Sequence, residues 1–300
     1  MRKLNIHPAE ILRIEELFNR KGWEIEADRD FRVSLYQKFI DRYERLKVED
    51  RELYLELSGD FLRIRENEVY SLFKRAYNSI YTDFLEGFRR IFIMPLVTPY
   101  IEVDKGQMKV VRPKVKSGEK IKVFLQANEY RELKFSEKIE MPDTFNDLKN
   151  CFIPDRDLLI FIDDFIGSGR TANDILTEVF KESQFNDFNT LVLAIVCQYE
   201  GGEKIYDQHK VISFFHFQRK KGITDNFLGQ ERNVKLNQAK SMESSLKVPS
   251  KYSLGYGKSE ALVSVMNKSP NNTFPVFWYE TKKMAAPFHR YVKYKKIKAQ

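Results

Sequence analysis

Asp163 and Asp164 directly follow five apolar residues, Leu158 to Ile162, and stand just ahead of the small-residue run Gly167-Ser168-Gly169-Arg170-Thr171. Two neighbouring carboxylates can accept hydrogen bonds from vicinal sugar hydroxyls, and can stabilise positive charge developing on the sugar ring. Glycines let the backbone turn tightly with its N–H groups facing inward, and amides at a helix start favour an anion. Ser168 and Thr171 add hydroxyl donors, and Arg170 adds a positive charge. A diol binder followed by a phosphate cradle describes a site for a phosphorylated sugar, with ribose 5-phosphate as the fitting case. The plain structural reading of the same residues is a buried strand ending in a capped helix, with both acids merely solvated.

The elements that must position these groups follow from hydrophobic pattern. Leu158 to Ile162 is too short for a helix and too unbroken for a strand with one wet face, so it suits a central parallel strand. Its carboxyl end is where open α/β sheets hold ligands. A helix is expected from Ala172 to about Ser183, then an apolar strand at 190–198 and another at 209–217. Earlier, the sheet begins at Ile91 to Val97, punctuated by Pro95, with a second short strand at Met108 to Val111. Ser117 can cap a helix carrying Ile121, Phe124 and Leu125, although the alternation Ile121, Val123, Leu125 also permits a strand. Alternating apolar strands and helices make the fold class α/β, a parallel sheet with flanking helices.

Residues 1–90 read as a helical N-terminal region packed on the sheet, 91–235 as the α/β core, and 236–300 as a C-terminal extension or hood. In the first of these, Ile11, Ile14, Leu17 and Phe18 fall at helical spacing. So do Phe31, Leu35, Phe39 and Ile40, and Val69, Leu72, Phe73, Tyr77, Ile80, Tyr81 and Phe84. This stripe is read as core. Residues 218–260 read as irregular connection, followed by a strand at Ala261 to Met266 and a turn-rich segment ending in aromatics.

Further candidate sites are weaker in type and spacing. Lys116, Ser117 and Gly118 would form a second loop-to-helix anion site, or else an ordinary cap beside a lysine. Asn271 and Asn272 can hydrogen-bond a base edge or a phosphate and Trp278 can stack on a ring, against the plainer reading of a turn beside a core tryptophan. Lys282, Lys283, Arg290, Lys293, Lys295, Lys296 and Lys298, interleaved with Tyr291 and Tyr294, could contact nucleic acid or form a solvated tail. A P-loop is disfavoured: Gly257-Lys258-Ser259 has Tyr252 where the first glycine belongs, and it follows the acidic strand instead of preceding it.

Composition bounds the rest. Fifty-one Lys and Arg against 43 Asp and Glu give a formal charge of +8, which favours anionic partners in general. No apolar run approaches a membrane span and the N-terminus lacks a signal-peptide core, so a soluble, cytoplasmic protein is expected. Cys151 and Cys197, well separated, suggest neither a disulfide framework nor a zinc site. His209 and His216 read as satisfied sheet-edge histidines, and no His-based mechanism is expected.

The run from Leu159 to Thr171 resembles the PRPP-binding motif of the type I phosphoribosyltransferases: four apolar residues, Asp163-Asp164, Phe165-Ile166, then Gly167 to Thr171. Phe165 is larger than usual there, and Gly167 replaces a customary Thr, Ser or Ala, removing one hydroxyl while the backbone donors survive. The closing segment resembles a divergent branch of that family associated with bacterial conflict and antiphage systems, through Pro270-Asn271-Asn272-Thr273-Phe274-Pro275 with Trp278, then Pro287-Phe288-His289-Arg290. Together the resemblance covers about residues 65 to 292. It implies a PRPP-dependent transferase with Asp163 and Asp164 on the ribose hydroxyls, the 167–171 loop on the 5-phosphate, Lys116 to Gly118 as the pyrophosphate loop, and Mg2+ carried mainly by the substrate. Pyrophosphate would leave as phosphoribose passes to an acceptor. It also implies an effector restrained by a partner protein in a defence operon. Two other readings stay open: a catalytically silent protein of the same fold that binds nucleic acid or a nucleotide, and a hydrolase or phosphorylase acting on a nucleotide's N-glycosidic bond.

Overall fold

A computed structural model describes residues 6–26, 33–97, 101–104, 107–110, 117–127, 130–281 and 284–290. In chain order the elements are α1 (Pro8–Lys21), α2 (Leu35–Arg45), α3 (Val48–Asp60), β1 (Leu62–Ile64), α4 (Val69–Asn78), α5 (Thr82–Glu86), β2 (Arg90–Pro95), β3 (Ile101–Asp104), β4 (Gln107–Val110) and α6 (Ser117–Ala127). These are followed by β5 (Ile139–Glu140), α7 (Phe145–Cys151), β6 (Asp157–Ile166), α8 (Arg170–Val179), β7 (Thr190–Gln198), α9 (Tyr199–His209), β8 (Ile212–Arg219), α10 (Gly229–Ser245), β9 (Val263–Val265) and α11 (Pro275–Trp278). The chain forms two compact units, one spanning 67–219 and the other made of 1–66 with 220–300.

Continuous apolar runs make the sheet of the 67–219 unit. Its five strands lie in the order β5-β2-β6-β7-β8 and every pairing is parallel. Leu159, Phe161, Val192 and Ala194 share one buried cluster with Leu148, Ala172, Ile175, Leu176 and Ile205 of α7, α8 and α9. Leu158, Ile160, Ile162, Leu191 and Leu193, the alternate residues, are buried as well. Helix α4 packs on β7 and β8, and α6 on β2 and β6. Each fully buried side chain of this kind contributes about 1.5–3 kcal/mol. From β2 the chain goes out to the edge strand β5 and returns across β2 to β6, so strand order reverses between β2 and β6. That junction is the topological switch point, the place where such sheets leave a crevice at their carboxyl ends. The fold is mixed α/β with a parallel sheet flanked by helices, as the apolar runs require.

The second unit is built from the two ends of the chain. Ser34 caps α2 by accepting from the Gln37 N–H at 3.0 Å, and Gly22 ends α1 in the left-handed conformation, φ 60°. The aromatic stripe of α1 to α3 is buried against residues from 223 to 288. Phe61 stacks on Phe288 at 4.2 Å, Tyr54 on Phe277 at 5.2 Å, and Trp23 meets Phe288 edge-on at 5.0 Å. Such pairs add about 0.5–1.5 kcal/mol each beyond area burial. β1 pairs in parallel with β9. Of the N-terminal region, then, α4 packs on the sheet, while α1 to α3 find their core in the C-terminal segment.

Several local expectations are corrected. The helical stripe stops at Ile80: Tyr81 is 76% exposed and Phe84 37%, because α4 ends at Asn78 and Phe84 belongs to the separate helix α5. The strand Leu62–Ile64 interrupts the region read as wholly helical. His209 closes helix α9 instead of opening a strand, since Lys210 turns left-handed at φ 58° and β8 begins only at Ile212. Within 218–260, read as irregular, lies the 17-residue helix α10, whose buried residues are only Ala239, Met242 and Glu243. So thin an apolar stripe leaves little periodic signal. No described helix is long and apolar enough to cross a membrane.

Candidate functional site

The acid pair lies inside a strand that runs further than its apolar residues. Pairing with β7 continues through Asp163↔Ala194, Phe165↔Val196 and Ile166↔Cys197, so β6 extends past both acids to Ile166. Alternation puts Asp163 on the face of Leu159 and Phe161, and Asp164 on that of Ile160 and Ile162. Both are half-buried, and the Asp164 N–H donates to Asp163 Oδ1 at 2.9 Å. A ribose held by both would have to lie across the strand, not along one face.

Gly167, Ser168 and Gly169 follow at once, with Gly167 and Gly169 buried and Ser168 half-buried. Gly169 is the N-cap of α8 at φ 73°, a conformation natural to glycine. It brings no side chain to the first-turn amides of α8, and its carbonyl accepts the Asn173 N–H at 2.9 Å. The first turn of a helix has donors without intrahelical partners and a partial positive charge, so a cap lacking a side chain leaves room for an anion. Arg170 and Thr171 are exposed, and the Arg170 guanidinium lies 3.8 Å from Asp174. Run as one piece, this is a pair of acids, a glycine-framed loop and a helix start, all at the carboxyl end of the sheet's middle strand.

Two glycines position the neighbouring pieces. A Cβ on Gly118 would stand 2.6 Å from the Ile162 carbonyl oxygen, 3.2 Å from Pro95 Cβ and 3.3 Å from the Leu96 nitrogen. The first turn of α6 therefore meets the sheet between the ends of β2 and β6, beside the acid pair, as a second anion loop would require. Ser117 opens that helix; its side chain and Lys116 lie outside the described residues. Gly201, in the first turn of α9, was not picked out from the sequence. A Cβ there would stand 2.1 Å from the Gly167 oxygen and 3.1 Å from the Gly169 nitrogen. The signal was present as Gly201-Gly202 two residues beyond an apolar strand.

The remaining candidates lie in the other unit and are described within it. Asn272 Nδ2 donates to the Tyr256 carbonyl at 3.2 Å, and the Asn272 carbonyl accepts from Ser259 Oγ at 2.7 Å. The Asn271 carbonyl accepts the Tyr256 N–H at 2.8 Å. Trp278 is buried, gives its Nε1–H to the Thr273 carbonyl at 2.6 Å, and carries the Arg290 guanidinium 5.6 Å from its ring. Lys282, Lys283 and the segment 291–300, with the rest of the basic tail, lie outside the described residues. Gly257-Lys258-Ser259 belongs to a short turn with no strand leading into it.

Burial is the largest influence on the cysteines and histidines of the 67–219 unit. Burial pushes the Cys197 thiol up to about 12 and raises that of Cys151. Burial lowers the His209 pKa, and its ring meets Thr177 Oγ1 at 3.4 Å and Phe180 edge-on. His216 is likewise lowered, by burial and then by Arg75. A cavity of about 510 Å3 beside the edge strand β5 is lined by Gln126, Tyr130, Glu140, Asp147, Cys151 and neighbours, and contains none of the motif residues.

Among curated proteins none matches this chain. A solved hypothetical protein from Neisseria gonorrhoeae with bound ppGpp is similar at 11% identity over 60% of this chain and 97% of its own, with a TM-score of 0.27, too slight a likeness to carry an argument. The PRTase-CE family model, by contrast, matches residues 36–292, so the chain belongs to this phosphoribosyltransferase-type family, which points to a ribose-phosphate ligand and to phosphoribosyl transfer in general.

Proposed function

We propose that this protein binds PRPP at the carboxyl end of β6 and transfers its phosphoribosyl group to an acceptor, releasing pyrophosphate. One observation carries the reading: the acid pair, the glycine loop and a helix start without a capping side chain follow one another beside the switch point, with only Phe165 and Ile166 between the acids and the loop. The 5-phosphate sits on the amides of Gly167 to Thr171, with the Ser168 and Thr171 hydroxyls as further donors and Arg170 as a charge contact. Asp163 and Asp164 accept from the 2- and 3-hydroxyls, one from each face of the strand. The first turn of α6, with Lys116, Ser117 and Gly118, receives the pyrophosphate.

As the anomeric C–O bond to pyrophosphate breaks, positive charge grows on the ribose ring, and a bond forms to the acceptor nucleophile, commonly a base nitrogen. Half-buried carboxylates close to that ring stabilise the charge, and binding energy from the 5-phosphate holds the ring in place while it develops. The chain contributes position and electrostatics more than covalent chemistry.

Magnesium in this reading is an ion brought mainly by the ligand. Among the described residues no group of three or more His, Cys, Asp or Glu side chains is arranged to hold a metal. Mg2+ keeps most of its waters and takes few protein ligands, so Asp163 and Asp164 are the side chains the motif offers it. When bound it neutralises charge on the leaving pyrophosphate. The closing-segment resemblance supports a role as an effector in a bacterial antiphage or conflict system, restrained by a partner protein.

The test is pyrophosphate release from PRPP and Mg2+ across a panel of bases, nucleosides and nucleotides. Asp163→Asn together with Asp164→Asn should lower the rate at least a hundredfold with an unchanged melting temperature. Absence of release from the unsubstituted protein with every acceptor would count against transfer, and full activity in the double variant would remove the acids from the mechanism.

A further inference from the structure

The tightest backbone approach at the site is made by a residue outside the motif. Gly201 belongs to the first turn of α9, and the 167–169 loop lies directly against it. A Cβ at 201 would meet the Gly167 oxygen at 2.1 Å, its carbonyl carbon at 3.0 Å and the Gly169 nitrogen at 3.1 Å. The contact is reciprocal, since a Cβ on Gly169 would meet the Gly201 oxygen at 2.6 Å and the Gly201 Cα at 3.3 Å. All these atoms are backbone, so none can swing away as the end of a side chain would. Gly202 is different: its Cβ would meet only Cys197 Sγ, at 3.3 Å. A glycine pair in the first turn of a helix works against helix formation. The pair therefore needs a reason, and only Gly201 has a backbone one.

We propose that Gly201 is the positioning residue of the phosphate loop, fixing Gly167 to Gly169 where their amides meet a 5-phosphate and so setting affinity for ligands that carry one. This rests on the ribose-phosphate reading of that loop. A side chain at 201 cannot be accommodated without moving the loop, and loop amides displaced by an ångström lose the aligned hydrogen bonds that bind an anion. A side chain at 202 asks only a few tenths of an ångström of a buried thiol. The two glycines, adjacent in one helix and equal in helix preference, thus form a matched pair.

The experiment compares the full-length protein with Gly201→Ala and Gly202→Ala by calorimetric titration with ribose 5-phosphate and, separately, with pyrophosphate, whose proposed contacts lie on α6. Hydrogen exchange at the amides of 167–171 is followed in the absence of ligand. Gly201→Ala should weaken ribose 5-phosphate at least tenfold while pyrophosphate stays within threefold, and should speed exchange in the loop. Gly202→Ala should change neither. The proposal is overturned by ribose 5-phosphate affinity within twofold of the unsubstituted protein in Gly201→Ala. It is overturned equally by matching loss of both ligands or of the cooperative melt, which would mean a packing role. If the unsubstituted protein binds neither ligand, the ribose-phosphate reading fails. The exchange data then still judge the loop: faster exchange specific to Gly201→Ala keeps the positional part, and unchanged exchange sinks it.

Discussion

Two regions of this molecule use the same device, a glycine that lets backbone press on backbone, and put it to different ends. At the switch point Gly201 and Gly169 bring α9 against the 167–169 loop. In the C-terminal segment Gly255, at φ 79°, brings its backbone against Asn272, where a Cβ would stand 1.9 Å from the carbonyl oxygen. Around Gly255 the polar groups are turned on one another. Ser259 Oγ donates to the Asn272 carbonyl, Thr273 Oγ1 to the Val263 carbonyl at 2.7 Å, and Trp278 Nε1 to the Thr273 carbonyl. Around Gly169 the helix cap supplies no side chain, and the acids and Ser168 are only half-buried. Glycine and small polar residues look alike in sequence in both places. What separates them is that side-chain donors already occupy the backbone carbonyls around Gly255, while no side chain caps α8 at Gly169.

The comparison breaks most readily at Gly255. Its positive φ and the Asn272 contact together should make Gly255→Ala cost about 2–5 kcal/mol, read as a lower urea midpoint. Tolerance of alanine there would show that this contact does not hold the segment. A smaller effect concerns Glu243, whose carboxylate accepts from Ser253 Oγ at 2.7 Å and the Leu254 N–H at 2.8 Å, just ahead of Gly255. Burial raises its pKa from 4.5 to about 6. Because the folded value lies above the unfolded one, the protonated form favours the fold. Stability from this group is present below about pH 4.5 and lost as pH rises through 6, by up to about 2 kcal/mol. Glu243→Gln should flatten that part of the pH dependence in urea midpoints at pH 4.5 and 7. An unchanged slope would assign it to other groups.

The sheet and its site were legible because they rest on local pattern. Leu158 to Ile162 and Thr190 to Gln198 are runs that only a doubly covered strand can bury, and the acid pair with its glycine loop is contiguous. A helix at Ser117 was one of two readings the sequence allowed, and α6 begins there. What escaped depends on partners distant in the chain. The core of α1 to α3 is completed by Phe274, Phe277 and Phe288, which no periodicity of the N-terminal region could reveal. Helix α10 buries too few apolar residues to show a stripe, and α9 is masked by Gly201-Gly202, poor helix formers kept where one of them meets the loop. Strand β5 is only two residues long. Asp163 and Asp164 were visible as a pair, but their placement on opposite faces came only from the continued pairing of β6.

The central claim is that the β6 acids and the loop after them form a PRPP site, and binding measures it most directly. Titration of PRPP with Mg2+ into the unsubstituted protein should give saturable binding and a raised melting temperature. Asp163→Asn with Asp164→Asn should bind at least tenfold more weakly while melting, without ligand, at the same temperature. No binding by the unsubstituted protein, or equal binding by the double variant, would contradict the account.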